Sequence, residues 1–153
     1  MKIREFNSTD LAALLVIQDQ NPTAGRWTKD DYTRLAGDAQ GLILVAENEA
    51  TAAPSVAGFA AYRSVEEEGE LLNLVVAVEH QRQGVASALV REGAQRLIKR
   101  GARRIFLEVR ESNQPALEFY SRAAFVQQGR RPDYYQDPCE DALILVKELT
   151  ARG

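Results

Sequence analysis

The chain has 153 residues, 45% hydrophobic and 27% charged, with a formal net charge of −3. That is enough for one domain (residues 1–153) around one core, and it offers no basic field to hold nucleic acid. A single cysteine, Cys139, excludes an internal disulfide, and with a single histidine, His80, it argues against a metal site. No apolar run is long enough for a bilayer and the first ten residues are not a secretion signal, so the expectation is a cytoplasmic protein without a membrane partner, monomeric or weakly dimeric.

In chain order, Ile3 to Phe6 reads as an edge strand. Asn7, Ser8 and Thr9 offer helix caps before an apolar stripe of Leu11, Leu14, Leu15 and Ile17. That helix stops before Asn21-Pro22. A loop, Asn21 to Trp27, precedes Thr28 and Asp31, an acidic capping box that starts a helix to about Ala36. Leu42 to Glu47 and Val56 to Arg63 form strands joined through a polar connection, Asn48 to Ser55, and Glu66 to Glu68 reads as a solvated loop.

The stretch from Leu71 to Arg100 organises the rest. A run rich in β-branched residues, Leu71 to Val78, predicts a strand. Gln81-Arg82-Gln83-Gly84-Val85-Ala86 follows. A helix then carries Leu89, Val90, Ala94, Leu97 and Ile98 on one face and stops at Gly101. Strand, small-residue turn and helix point the free amides of a helix N-terminus outward as an anion site. Gly84 and Ala86 let a phosphate approach the backbone, and Arg82 adds a cation. Neither G-x-G-x-x-G nor a P-loop Gly-Lys-Ser/Thr is present. The turn is a pyrophosphate cradle or an ordinary surface turn.

Arg104 to Val109 is the next strand. Asn113-Gln114-Pro115 opens a helix to about Arg122, and Phe125 to Gly129 and Ala142 to Glu148 close the chain as strands. Helices after the fourth and fifth strands imply a parallel pair inside an otherwise antiparallel sheet, an α+β class.

Gln-x-x-Gly-x-Ala after a hydrophobic strand resembles the acyl-CoA motif of the GCN5-related N-acetyltransferases (GNAT). Leu107-Glu108-Val109-Arg110, Asn113 and the Tyr120–Phe125 spacing extend the likeness from about Leu71 to Leu145. Within the family the residues are most similar to the bacterial RimI type, which acetylates the N-terminal alanine of a small-subunit ribosomal protein. The resemblance implies a mixed α/β GNAT fold: a mostly antiparallel twisted sheet of six or seven strands, one parallel splayed pair and about four helices. It also implies acetyl-CoA as co-substrate, no metal, and a protein N-terminus as acceptor. Direct attack in a ternary complex is expected, because Cys139 lies away from the motif.

Acetyl transfer needs a neutral amine, and an α-ammonium near pKa 8 must first lose a proton. The resemblance makes Glu108 the base; otherwise it is a solvated strand residue. Tyr120 would protonate the leaving thiolate, or serve as an aromatic anchor. Asn113 would hold the pantetheine arm, or cap its helix. Val76 and Val78 with nearby backbone would pair with pantetheine, and Gln81, Arg82, Gln83, Gly84, Val85, Ala86 and Ser87 would hold the diphosphate. Trp27 and a polar loop carrying Tyr134 and Tyr135 would cover the acceptor, or be surface aromatics; His80 is not expected to act as base.

Four departures from the family pattern stand out. Ala86 replaces glycine, Ser87 a basic residue, Ala77-Val78 the usual Asp-Pro, and Ala124 the glycine before Phe125, which should alter that turn. Acetylation of a small amine or a lysine side chain, or CoA binding without catalysis, are the competing functions.

Overall fold

The computed structural model describes residues 1–50 and 52–150; Thr51, inside the expected Asn48–Ser55 connection, and residues 151–153 lie outside the described residues. Helix starts follow the side chains able to cap them. A single 3-10 turn, Ser8–Asp10, capped by Asn7, leads into α1 (Leu11–Asp19). Thr28 and Asp31 exchange hydrogen bonds across the start of α2 (Lys29–Ala36). Asn113 caps α4 (Gln114–Arg122), with Pro115 in its first turn, where a missing N–H costs nothing. α1 itself has no side-chain cap and continues directly from the capped 3-10 turn, and the first turn of α3 (Val85–Lys99) has none either.

The strands are β1 (Lys2–Glu5), β2 (Gly41–Asn48), β3 (Ser55–Val65), β4 (Glu68–Val76), β5 (Arg104–Arg110), β6 (Val126–Tyr135) and β7 (Glu140–Glu148). They form one sheet in the order β1-β2-β3-β4-β5-β7-β6. Every neighbouring pair is antiparallel except β4 and β5. The α+β mixed sheet with one parallel pair and four helices is therefore the architecture expected.

Alternating residues of one strand feed two cores. Leu42, Leu44 and Ala46 of β2 join Tyr62, Leu89, Leu97, Ile105 and Leu107 under α3. Ile43 and Val45 join Leu14, Ile17, Tyr32, Leu35 and Phe59 under α1 and α2. Burial on both faces explains why β2 reads as an unbroken apolar run. Each fully buried leucine contributes about 1.5–3 kcal/mol.

Three boundaries differ from the sequence reading. Glu68 is not in a loop: β3 runs to Val65 and turns at Glu66 (φ +54°), so Glu68 pairs with Val65 and Arg104. The fourth strand stops at Val76, because Val78–His80 forms a 3-10 turn. Tyr134 and Tyr135 are not in a loop but end β6, past a register shift between Arg131 and Tyr135.

Candidate active site

The site begins where two strands part. β4 and β5 pair only over Glu68–Glu70 against Arg104–Phe106. Beyond these positions β4 continues to Val76 and β5 to Arg110, the latter paired only with β7. A cleft of about 1150 Å³ opens between them. Its walls include Trp27, Val76, Gln81, Arg82, Gly84, Val85, Ala86, Ser87, Glu108, Asn113, Tyr120, Tyr134 and Tyr135, brought together from seven separate stretches of chain. Val78 and Gln83 fall outside this lining. Val78 is exposed and its N–H donates to Gln20 Oε1 at 3.1 Å, while the Gln83 amide donates to the Glu79 carbonyl. Gln20 thus supplies a partner to the turn where the family pattern has Asp-Pro.

At one end of the cleft the chain turns through Arg82 (φ +63°) and Gly84 (φ +83°) into α3. The first helical bond joins Ala88 N–H to the Gly84 carbonyl, so the amides of Val85, Ala86 and Ser87 precede the ladder. A Cβ on Gly84 would meet nothing within 4 Å, so its backbone conformation rather than crowding calls for glycine there. These amides, with Arg82, present positive potential to an anion. The Gln81 side chain is engaged elsewhere, its amide donating to Asn21 Oδ1 (3.1 Å) and to the Val76 carbonyl (3.3 Å). Asn21 also donates to Val76 (3.3 Å), so protein donors already engage that carbonyl.

In the middle, Glu108 and Tyr120 arrive from opposite faces. Leu107 and Val109 belong to the core under α3, which turns Glu108 to the other face. Tyr120 packs against the α3-side core and reaches the gap from there, stacked edge-on with Phe119 and Phe125. Burial raises the Tyr120 phenol well above its ordinary value. Glu108 Oε2 is buried, lacks a well-directed hydrogen bond, and is in ionic contact with Arg131 Nε at 2.5 Å. The Tyr134 hydroxyl lies 3.5 Å from Oε1. Asn113 lines the cleft while its Oδ1 accepts the Ala116 N–H at 3.3 Å, which leaves the amide N–H donors outside the cap.

The opposite wall is held by a buried polar cluster. Tyr32 donates to Gln18 Oε1 and accepts from Asn73 Nδ2 at 3.1 Å. Gln18 Nε2 donates to the Trp27 carbonyl at 2.9 Å, and Trp27 N–H returns to Gln18 Oε1 at 3.3 Å. The Trp27 ring packs on Tyr32, 5.0 Å between centroids. Across the cleft, Arg110 lies over the Tyr135 ring at 4.3 Å and donates to the Gln136 and Pro138 carbonyls and to Glu140. It staples the β6–β7 hairpin to β5.

Sequence reasoning missed Glu70, Asn73 and Arg122, all on the cleft wall. Glu70 immediately precedes the apolar run that starts at Leu71, and Asn73 is hidden inside that run. No group of three or more potential metal ligands occurs among the described residues, and no described helix is long and apolar enough to cross a membrane.

Residues 11–125 match the model of the acetyltransferase (GNAT) family. The chain is 32% identical over 150 residues to the ribosomal protein bS18-alanine N-acetyltransferase of Escherichia coli K12, covering 97% of each chain. It is 30% identical over 148 residues to the protein of the same name from Salmonella typhimurium, covering 95% of each. The crystal structure of the ribosomal-protein-S18-alanine N-acetyltransferase from Escherichia coli superposes with a TM-score of 0.83 at 29% identity, covering 99% of this chain and 96% of that one.

Proposed function

The chain belongs to the acetyltransferase (GNAT) family, and from that premise we propose that it moves the acetyl group of acetyl-CoA to the N-terminal alanine amine of a small-subunit ribosomal protein. The observation that carries this reading is the parting of β4 from β5 after three paired residues, with Glu108 and Tyr120 both lining the gap.

The residues suit the co-substrate. The uncapped amides of Val85 to Ser87 and the Arg82 guanidinium would take the diphosphate. The open edge of β4 ahead of Val76 would pair with the pantetheine amides as an added strand, with Asn113 opposite. Acetyl-CoA supplies the activated acyl group. The acceptor would enter from the Trp27, Tyr134 and Tyr135 side. Glu108 would accept a proton from the amine; nitrogen attacks the acetyl carbon, the C–S bond breaks, and Tyr120 gives its proton to the departing sulfur. No covalent acyl-enzyme is required, and exposed Cys139, beside Asp133 rather than on the cleft wall, is not placed to form one.

The test is turnover of acetyl-CoA with an alanine-initiated peptide matching the ribosomal protein's N-terminus, beside lysine peptides and small amines, read by product mass. Preferred acetylation of the peptide α-amine supports the reading, and exclusive turnover of small amines or lysine overturns it. Glu108→Gln should lower the rate about 10²–10⁴-fold at neutral pH. The loss should shrink above about pH 8, where the α-amine deprotonates unaided.

A further inference from the structure

Four arginines stand on the wall of the cleft: Arg26, Arg82, Arg110 and Arg122. Two are already engaged. Arg26 donates to the Gln18 and Asn21 carbonyls at 3.0 and 2.6 Å and lies 3.7 Å from Asp19. Arg110 is paired with Glu140 at 3.1 Å and held over the Tyr135 ring. Arg82 and Arg122 have neither an ion pair nor a side-chain hydrogen bond among the described residues.

Arg122 is placed by its helix. Pro115, Ala116, Phe119, Tyr120 and Arg122 line the cleft, a spacing of three and four residues that turns one face of α4 toward it. Ala116, Phe119 and Tyr120 pack on the same core as Leu89 and Val90 of α3, so both helices cover one side of the sheet. The wall on that side therefore includes Gly84 to Ser87 at the start of α3 and Arg122 in the last turn of α4. Glu118, one turn earlier on α4, forms no ion pair with Arg122, which leaves the guanidinium available.

The carboxylates of the wall lie elsewhere. Glu70 and Glu108 are flanked by Leu71, Leu107 and Val109 of the core under α3, so both project to the other face of the sheet. The α3–α4 side is left with two unpaired guanidiniums and no acid. CoA carries more negative charge than the cradle of amides and Arg82 accounts for. Beside its diphosphate it has a 3′-phosphate on the ribose, a phosphomonoester of about −1.5 to −2 charges at neutral pH. Ser87, which stands where the family pattern has a basic residue, brings no charge to meet it.

We propose that Arg122 binds the 3′-phosphate of CoA and so makes this site select CoA over its 3′-dephospho form. This rests on the acetyltransferase reading above. A guanidinium offers a fork of N–H donors to two phosphate oxygens, which a serine hydroxyl at position 87 cannot supply. Arg122 is then a binding and specificity residue, acting on affinity for the co-substrate and not on the proton transfers at Glu108 and Tyr120. Because Arg122 is exposed and unpaired, its replacement leaves the core untouched.

The test is calorimetric titration of CoA and of 3′-dephospho-CoA into the wild type, Arg122→Gln and Arg122→Lys, with Arg82→Gln beside them. The wild type should bind CoA about three- to tenfold tighter than 3′-dephospho-CoA. Arg122→Gln should bring that ratio to within about twofold by weakening CoA alone, and Arg122→Lys, which keeps the charge, should retain part of it. Arg82→Gln should weaken both ligands alike, as the loss of a diphosphate contact does. A wild type that binds the two ligands equally, or an Arg122→Gln protein that keeps the wild-type ratio, overturns the proposal. So does an equal loss for both ligands in Arg122→Gln, which would move Arg122 to the diphosphate. A chain that binds neither ligand would defeat the acetyltransferase reading itself, whereas one that binds both and ignores the 3′-phosphate defeats this inference alone.

Discussion

Arg131 Nε sits 2.5 Å from Glu108 Oε2, tying the far half of β6 to β5 across the acceptor side of the cleft. An ammonium approaching Glu108 therefore meets a carboxylate that already has a cation. Partly exposed ion pairs are worth about 0.2–1 kcal/mol, so Arg131→Gln should lower the acceptor KM about two- to fivefold and leave the KM for acetyl-CoA unchanged. Steady-state kinetics with each substrate varied in turn checks this. A higher acceptor KM would mean that the guanidinium holds the acceptor instead of competing with it.

Tyr120 is kept protonated by its surroundings. Burial raises its phenol, so the proton is present throughout the range in which the amine titrates, and lost only at strongly alkaline pH. Tyr120→Phe should reduce kcat about a hundredfold, with little change in either KM and no displacement of the pH profile below pH 10. Unaltered kcat would return Tyr120 to an anchoring role, for which its contacts with Phe119 and Phe125 suffice.

Much of this was legible in the residues, because local chemistry decided it. The caps at Asn7, Thr28 and Asn113 and the two-sided apolar run of β2 are rules of one turn or one strand, and the chain obeys them. The parting of β4 from β5 is different: it is a relation between strands whose last paired residues, Glu70 and Phe106, lie 36 positions apart, visible only through family resemblance. Asn73 was illegible for a related reason. Its meaning comes from a partner distant in sequence, Tyr32, and not from its own neighbours. The end of β6 was misread because Arg131 to Tyr135 is polar enough to be loop, yet pairing with β7 across a register shift keeps it extended.

Gly84 tests the anion cradle. At φ +83° an alanine is strained by about 1–2 kcal/mol, and no atom beyond its chain neighbours stands within 4 Å of its would-be methyl. The stability loss from Gly84→Ala should therefore stay within that figure. CoA affinity should fall about tenfold or more, as the methyl enters the space a diphosphate needs. Denaturant unfolding and calorimetric CoA titration separate the two effects. Unchanged affinity would place the diphosphate elsewhere.

The Gln18–Tyr32–Asn73 cluster predicts an acceptor effect from a residue buried beneath the cleft wall. Tyr32→Phe leaves Gln18 and Asn73 short of a partner, which costs about 1–3 kcal/mol, and frees the Trp27 backbone that Gln18 holds. The acceptor KM should rise and the KM for acetyl-CoA should not. Burial pushes the Tyr32 phenol up to about 12, so the wild-type cluster should hold the loop without pH dependence between pH 6 and 10. Equal changes in both KM values would show that the damage is general.

Ala124 predicts a gain. α4 ends in a Schellman motif: Phe125 N–H reaches the Tyr120 carbonyl at 2.9 Å and Ala124 N–H reaches Ser121 at 3.1 Å. Phe125 and Tyr120 pack across the turn, 5.4 Å between centroids. The residue at the bend must be left-handed, and Ala124 is, at φ +71°. The turn expected to be altered by the missing glycine is instead made at the cost of strain, because two hydrogen bonds and a ring contact outweigh about 1–2 kcal/mol. Ala124→Gly removes that strain, but its more flexible unfolded chain offsets part of the gain. A net stabilisation of about 0.5–1 kcal/mol should appear in the urea midpoint with an unchanged m-value. Because the same turn fixes Tyr120, kcat should remain within twofold. A loss of stability would mean that the alanine methyl makes a contact worth more than the strain it imposes.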